Sequence, residues 1–253
     1  MFERRVSLIV GAFGSGKTEV AVNAALAISR RGEAVTLVDL DVVKPYFRSR
    51  SLHRELARHG IPVTAPPGEH PFPEVPIALA QVAGLLLPGR PKVIVDVGGD
   101  PVGSLAIGAL SAELPSVEVE HLLVLNFARP QTGTVEQAVA MARAIQGAAR
   151  LPLTGLVANT NLLGETTPEL VLDGLRCAAR TGAVLGLPLA LAAVEERLLG
   201  ALPPGWAPCP VLPMRRMVFP PFETPASLPG GAGRAGALAA ARPLGQPPAR
   251  PGG

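Results

Sequence analysis

Aromatic residues are scarce in this 253-residue chain: seven Phe, one Tyr and one Trp make up 4% of it. A core built almost without rings must rest on Leu, Val, Ile and Ala, and the 48% hydrophobic content supplies them. Cysteine is nearly absent as well. Cys177 and Cys209 lie far apart, with no C-x-x-C and no neighbouring His, which argues against a disulfide scaffold or a zinc site. Lysine occurs only at Lys17, Lys44 and Lys92, so the positive charge is almost all arginine. The net charge of +3 comes without a dense basic run, and no nucleic-acid partner is expected. No apolar run approaches the ~20 residues of a membrane span, so no membrane partner is expected either. A strand pattern begins within about five residues of Met1, which leaves no room for a signal peptide and makes a cytoplasmic location the expectation.

What the chain does have is a glycine-rich stretch in a telling place. Gly11-Ala12-Phe13-Gly14-Ser15-Gly16-Lys17-Thr18 fits the phosphate-loop pattern G-x-x-x-x-G-K-[ST]. Ahead of it runs Val6-Ser7-Leu8-Ile9-Val10, a short apolar stretch with the look of a buried parallel strand. Behind it, Glu19 to Arg31 carries Val20, Ala24, Ala27 and Ile28 at helical spacing, with Gly32 as a stop. Gly11, Gly14 and Gly16 allow main-chain N–H groups to approach a phosphate. The helix start aims its unpaired amides at the same anion. Lys17 can reach the β- and γ-phosphates, and the Thr18 hydroxyl is a candidate Mg²⁺ ligand. Ser15 and Glu19 complete the set of nucleotide contacts expected at this turn.

Strand and helix patterns alternate along the rest of the chain. Strands are predicted at 34–38, 92–96, 119–125 and 153–158, with short late ones at 187–191 and 210–213. Helices are predicted at 49–59, 77–87, 134–149 and 168–181. The stretch 63–76 is too broken by proline for either element. This alternation predicts an α/β fold, a three-layer doubly wound, mostly parallel sheet of the P-loop NTPase type. Residues 1–219 form the expected nucleotide-binding domain. Residues 220–253, rich in Pro, Gly, Ala and Arg without periodicity, read as a disordered tail.

Ligands of open parallel sheets sit at the carboxyl ends of the strands, and two predicted strands end there on acids. Asp96, after Val93-Ile94-Val95, is the expected Walker-B carboxylate for Mg²⁺. Gly99 has the D-x-x-G spacing from it, which suits a backbone N–H that senses the γ-phosphate. After the second predicted strand come Asp39 and Asp41. Asp41 is the candidate that orients the attacking water, and Asp39 is expected to support Mg²⁺. Loops 42–50, with Lys44, Arg48 and Arg50, and 98–103 are the candidate nucleotide-responsive segments.

These motifs together resemble the SIMIBI branch of phosphate-loop NTPases and, more narrowly, MinD/ParA/CobQ-type ATP-binding proteins. The likeness rests on Gly11–Thr18, Val38-Asp39-Leu40-Asp41, Ile94-Val95-Asp96-Val97-Gly98-Gly99 and Gly155-Leu156-Val157-Ala158-Asn159. It implies that Asp41 is the water-activating acid and that Asn159 reads the nucleobase. It also implies ATP and Mg²⁺ as cofactors, and raises a possible homodimer. The run Asp39–Arg50 is similar to a largely uncharacterised bacterial subgroup of ATP-binding proteins. One departure is Ala12, where the MinD/ParA group usually carries a second lysine that acts across an ATP-sandwiched dimer. Gly-Ser-Gly-Lys-Thr is also similar to GTP-dependent nickel-enzyme chaperones, but Asn159-Thr160-Asn161-Leu162 lacks the Asp of their N-K-x-D guanine motif, so ATP is the expected nucleotide. The function expected is a slow Mg²⁺-dependent ATPase that acts as a switch on an unknown protein partner. The alternatives are an ATP-dependent small-molecule kinase or ligase and a GTPase metallochaperone-like protein.

Overall fold

The computed structural model describes residues 1–40, 50–64, 82–85, 89–98, 101–110 and 119–218. Its frame is an eight-stranded sheet in which every pairing is parallel. The strands are β1 (Val6–Gly11), β2 (Val35–Leu40), β3 (Val63–Thr64), β4 (Lys92–Val97), β5 (Val119–Leu125), β6 (Gly155–Ala158), β7 (Leu189–Glu195) and β8 (Val211–Met214). Their spatial order is β3-β2-β4-β1-β5-β6-β7-β8. The helices are α1 (Lys17–Arg30), α2 (Arg50–Arg58), α3 (Pro101–Leu110), α4 (Val135–Ala149) and α5 (Pro168–Leu185).

The period-two alternation of the strands decides which residue meets which layer. Val6, Leu8 and Val10 of β1 join Val93, Val95 and Val97 of β4 in a core covered by α3, α4 and α5. Ile9 and Ile94 face the other way, into a core closed by α1 and α2. Both faces are therefore apolar and covered, as an all-parallel sheet requires. The expected three-layer doubly wound architecture is the observed one. On the same alternation, Asp39 and Asp96 fall on the α1 side, and the two are register partners across β2 and β4.

Local signals explain most element ends. Thr134 caps α4, accepting from Gln137 N while the Gln137 side chain accepts from Thr134 N, a reciprocal capping box. Thr167 caps α5 and Pro168 opens it. Three expectations need correction. Val63–Thr64, assigned to a broken loop, pairs with Leu37 and Val38 as the short edge strand β3. Two residues ahead of a proline run carry too little pattern to be read, and the neighbouring β2 supplies the pairing. The segment 98–103 was expected to be one glycine loop, yet Pro101–Gly103 form the first turn of α3. Pro101 has no N–H to lose at that position. Helix α5 runs to Leu185, past the expected end at Thr181, and stops at Gly186 in the left-handed region. Residues 82–85 are helical, with Val82 in the core; the remainder of the helix expected at 77–87 and the tail 220–253 lie outside the described residues. Among the described residues no helix is long and apolar enough to cross a membrane.

His121 on β5 is fully buried, on the face shared with Leu123 and Leu125. Its Nδ1 donates to Pro152 O at 3.3 Å, while Nε2 has no hydrogen-bond partner. Burial pushes its pKa down from 6.5 to about 4. The folded protein keeps His121 neutral where the unfolded chain binds a proton. The stability it contributes is complete above pH 6.5 and is lost as the pH falls toward 4. Thermal melts of the wild type should therefore drop more steeply between pH 6.5 and 4 than those of His121→Phe; parallel curves would show that His121 does not carry the acid sensitivity.

Candidate functional site

The phosphate loop leaves β1 in the middle of the sheet and enters α1. Its geometry needs glycine at two points. Gly16 has φ +85°, and an added Cβ would lie 2.3 Å from Asn159 Nδ2. At Gly11 an added Cβ would lie 2.7 Å from Val124 O of the adjacent β5. Asn159, at the end of β6, donates from Nδ2 to Ser15 O at 2.7 Å in a fully buried hydrogen bond. The loop is thus braced from behind by the strand two places away from β1.

Lys17 is buried, 6% exposed, in the first turn of α1. Thr18 Oγ1 donates to Asp96 Oδ2 at 2.7 Å. Asp96 ends up there because β4 lies directly beside β1, with Asp96 opposite Ile9. Asp39, its partner in register on β2, lines the same cavity. Lys17, Thr18, Asp39 and Asp96 therefore meet at one end of α1, as the sequence led one to expect. Ser15 Oγ is buried without a hydrogen-bond partner beside them. An uncompensated buried hydroxyl in a ring of glycines is the kind of group a phosphate oxygen satisfies. The donor set also suits a hard divalent cation: one hydroxyl and two carboxylates, with the rest of the shell left to water and phosphate. Asp41 and Gly99 lie outside the described residues, as do Lys44 and Arg48; Arg50 opens α2, and its side chain is not described.

Two cavities flank the loop. One, of about 370 Å³, is lined by Lys17, Thr18, Asp39 and Asp96, with Leu37, Leu52 and Leu56 as its apolar wall. The other, of about 390 Å³, lies beyond the ends of β6 and β7 and is lined by Asn159, Asn161, Glu195 and Arg197. Gly14, Gly16, Glu19, Arg129, Leu163 and Arg216 border both. The paired cavities form one trough across the phosphate loop, with acids and Lys17 at one end and amides at the other.

The amide end is held by Asn126, which follows β5. Its Nδ2 donates to Asn161 O at 2.9 Å, and its Oδ1 accepts from Ala128 N and Asn161 N. Asn161 Nδ2 in turn donates to Glu195 Oε1 at 2.8 Å, and Arg197 Nε donates to Glu195 Oε2 at 2.6 Å. Arg129 Nε donates to Gly14 O at 3.2 Å, on the phosphate loop itself. Asn126, Arg129, Asn161, Glu195 and Arg216 were not picked out from the sequence. Glu195 closes β7 at its carboxyl end, where such sheets bind ligands, but the strand expected from the sequence stopped at residue 191, four residues short of it.

Glu19 was expected as a nucleotide contact. It borders both cavities, but its carboxylate also accepts from Met217 N at 3.0 Å and Val218 N at 2.7 Å, fastening the end of the described chain to α1. Burial pushes its pKa up to about 7, against the pull of those two backbone N–H groups and of Arg216.

No protein-family model and no curated protein matches the chain. Solved structures do. The cell division protein FtsY from Thermotoga maritima is 21% identical, with a TM-score of 0.52, over 76% of this chain and 62% of that one. The signal recognition particle 54 kDa protein from Aeropyrum pernix, in complex with GDP, is 23% identical, with a TM-score of 0.51, over 74% of this chain and 40% of that one. The signal recognition particle receptor FtsY from Elizabethkingia anophelis, also in complex with GDP, is 20% identical, with a TM-score of 0.50, over 76% and 58%. At these identities the shared property is the fold. That fold is the parallel α/β sheet of the P-loop NTPase type. The chain spans 40–62% of the length of these three structures, and the SIMIBI and narrower MinD/ParA-like resemblances rest on the sequence motifs.

The geometry at Gly16 makes a direct prediction. Gly16→Ala forces a side chain into the left-handed region and against Asn159, so urea denaturation should show a loss of at least about 1–3 kcal/mol. An unchanged midpoint would mean that Asn159 does not brace the loop.

Proposed function

We propose that this protein is a Mg²⁺-dependent, nucleoside triphosphate-binding switch that hydrolyses its nucleotide slowly and acts on a protein partner. The observation that carries the reading is the 2.7 Å contact between Thr18 and Asp96 beside buried Lys17, at the start of a helix whose loop holds an unsatisfied buried hydroxyl. In this reading the loop amides and Lys17 would hold the β- and γ-phosphates, and Thr18, Asp96 and Asp39 are the residues that would hold Mg²⁺. When bound, the ion supplies positive charge against the phosphate oxygens. Asp41 is assigned to orient the attacking water and Gly99 to respond to the γ-phosphate, both from the sequence motifs. Holding the phosphates in line and stabilising charge is sufficient chemistry for hydrolysis.

For the nucleobase we favour guanine. Glu195 brings a carboxylate into the amide-lined cavity. A carboxylate accepts from both N1–H and the exocyclic amine of guanine, whereas adenine offers it only one donor group. Two of the structures with this fold are GDP complexes. ATP is the second reading, favoured by Leu162 where an N-K-x-D motif would have its acid and by the resemblance to ATP-binding proteins. Asn159 serves either base: its Nδ2 is engaged with Ser15 O, and it lines the cavity in which the base would sit.

Calorimetry with Mg²⁺ checks both levels. Wild type should release binding heat with GTP, and Lys17→Ala should lose it while keeping its circular dichroism. GTP should bind more tightly than ATP, and Glu195→Gln should narrow that gap. Equal binding by Lys17→Ala refutes the phosphate site, and tighter binding of ATP than of GTP refutes the guanine reading alone.

A further inference from the structure

The segment after β8 does not end at the sheet. It crosses the start of α1 and is fastened there by side chains of the helix. Asn23 and Arg215 exchange two hydrogen bonds: Asn23 Nδ2 donates to Arg215 O, and Arg215 N donates to Asn23 Oδ1, both at 2.9 Å. Glu19 accepts from Met217 N and Val218 N at 3.0 and 2.7 Å. Arg215 Nε also donates to Glu196 Oε2 at 2.6 Å. Arg216, between these anchored backbone positions, borders the phosphate-side cavity and the amide-lined cavity alike. Its neighbours divide: Val218 borders only the phosphate side, and Met214 and Arg215 only the other.

The position at which the two cavities meet has a chemical meaning. If the γ-phosphate lies by Lys17 and Thr18 and the base by Asn159 and Asn161, the part of the nucleotide between them is the α-phosphate and the ribose. We infer that Arg216 is a nucleotide-binding residue delivered by the C-terminal segment, which pairs its guanidinium with the α-phosphate. Glu19 and Asn23 are its positioning residues. The inference rests on the nucleotide reading above. A guanidinium suits the task, because it stays charged and donates in a planar fork to phosphate oxygens. The latch suits it too: carboxylate-to-amide bonds on the first turn of α1 tie the segment to the same turn that carries Lys17 and Thr18. Filling of the trough and fastening of the C-terminal segment are then coupled, each favouring the other.

The test uses the full chain and radiolabelled GTP, GDP and GMP with Mg²⁺. Arg216→Ala should weaken all three by about tenfold or more, because the α-phosphate is common to them. Arg216→Lys should recover part of the loss. Glu19→Ala should produce a similar loss, and the double variant Glu19→Ala/Arg216→Ala should be no worse than Arg216→Ala, as expected if Glu19 acts through Arg216. Unchanged circular dichroism and melting of Arg216→Ala and Arg216→Lys show that the losses are local. Wild-type affinity in Arg216→Ala overturns the inference while leaving the nucleotide reading intact. Fully additive losses in the double variant overturn the positioning role of Glu19. A wild type that binds none of the three nucleotides overturns the nucleotide reading and the inference with it.

Discussion

One buried hydrogen bond organises the site: Asn159 Nδ2 to Ser15 O. The phosphate loop bends through left-handed glycine conformations, which an isolated peptide would leave easily. The amide of Asn159 occupies the space left by the missing side chain of Gly16 and pins the loop's outer strand of backbone. With the loop pinned, the amides at the start of α1 keep their direction, and Lys17 and Thr18 are presented together. A hydrogen bond of this kind, out of water at both ends, is costly to break because neither group finds another partner.

The second dependence is topological. Because β4 rather than β2 lies next to β1, Asp96 comes within hydrogen-bond distance of Thr18. The first crossover therefore skips a position, and the strand that fills it brings the carboxylate. The same order places β5, β6 and β7 on the other side of β1, so that Asn126, Asn159 and Glu195 line up beyond their carboxyl ends. The phosphate loop divides a half of the trough lined by Lys17, Asp39 and Asp96 from a half where Asn126, Asn159 and Asn161 surround Glu195. A polyphosphate and a base differ in the same sense, the one needing cations and metal ligands and the other a shaped set of donors and acceptors.

Much of this was legible in the residues. Gly11–Thr18 with a strand before and a helix after is a local pattern, set by backbone conformation, and the strand and the helix are where it put them. Asp39 and Asp96 were legible because strand alternation and strand ends are local too. Glu195 and Asn161 were not, since their meaning depends on β7 lying beside β6. Arg216 was still less so. It is one arginine among many in the sequence, and only the fold carries it back from β8 to the start of α1. The β3 strand illustrates the same limit on a smaller scale: two residues have no pattern of their own and become a strand because β2 offers an edge.

What the sequence determined by itself is therefore whatever lies within a few residues of its cause: the loop, the helix caps at Thr134 and Thr167, the layered α/β architecture and the acids that follow apolar runs. Tertiary structure alone decided which acids face one another, which amides brace the loop and which two arginines border both cavities. The reason is physical. Backbone conformation and hydrophobic period act over one turn or one strand, whereas the trough is assembled from strand ends brought side by side, and the order of strands in a sheet is settled by the packing of two whole faces.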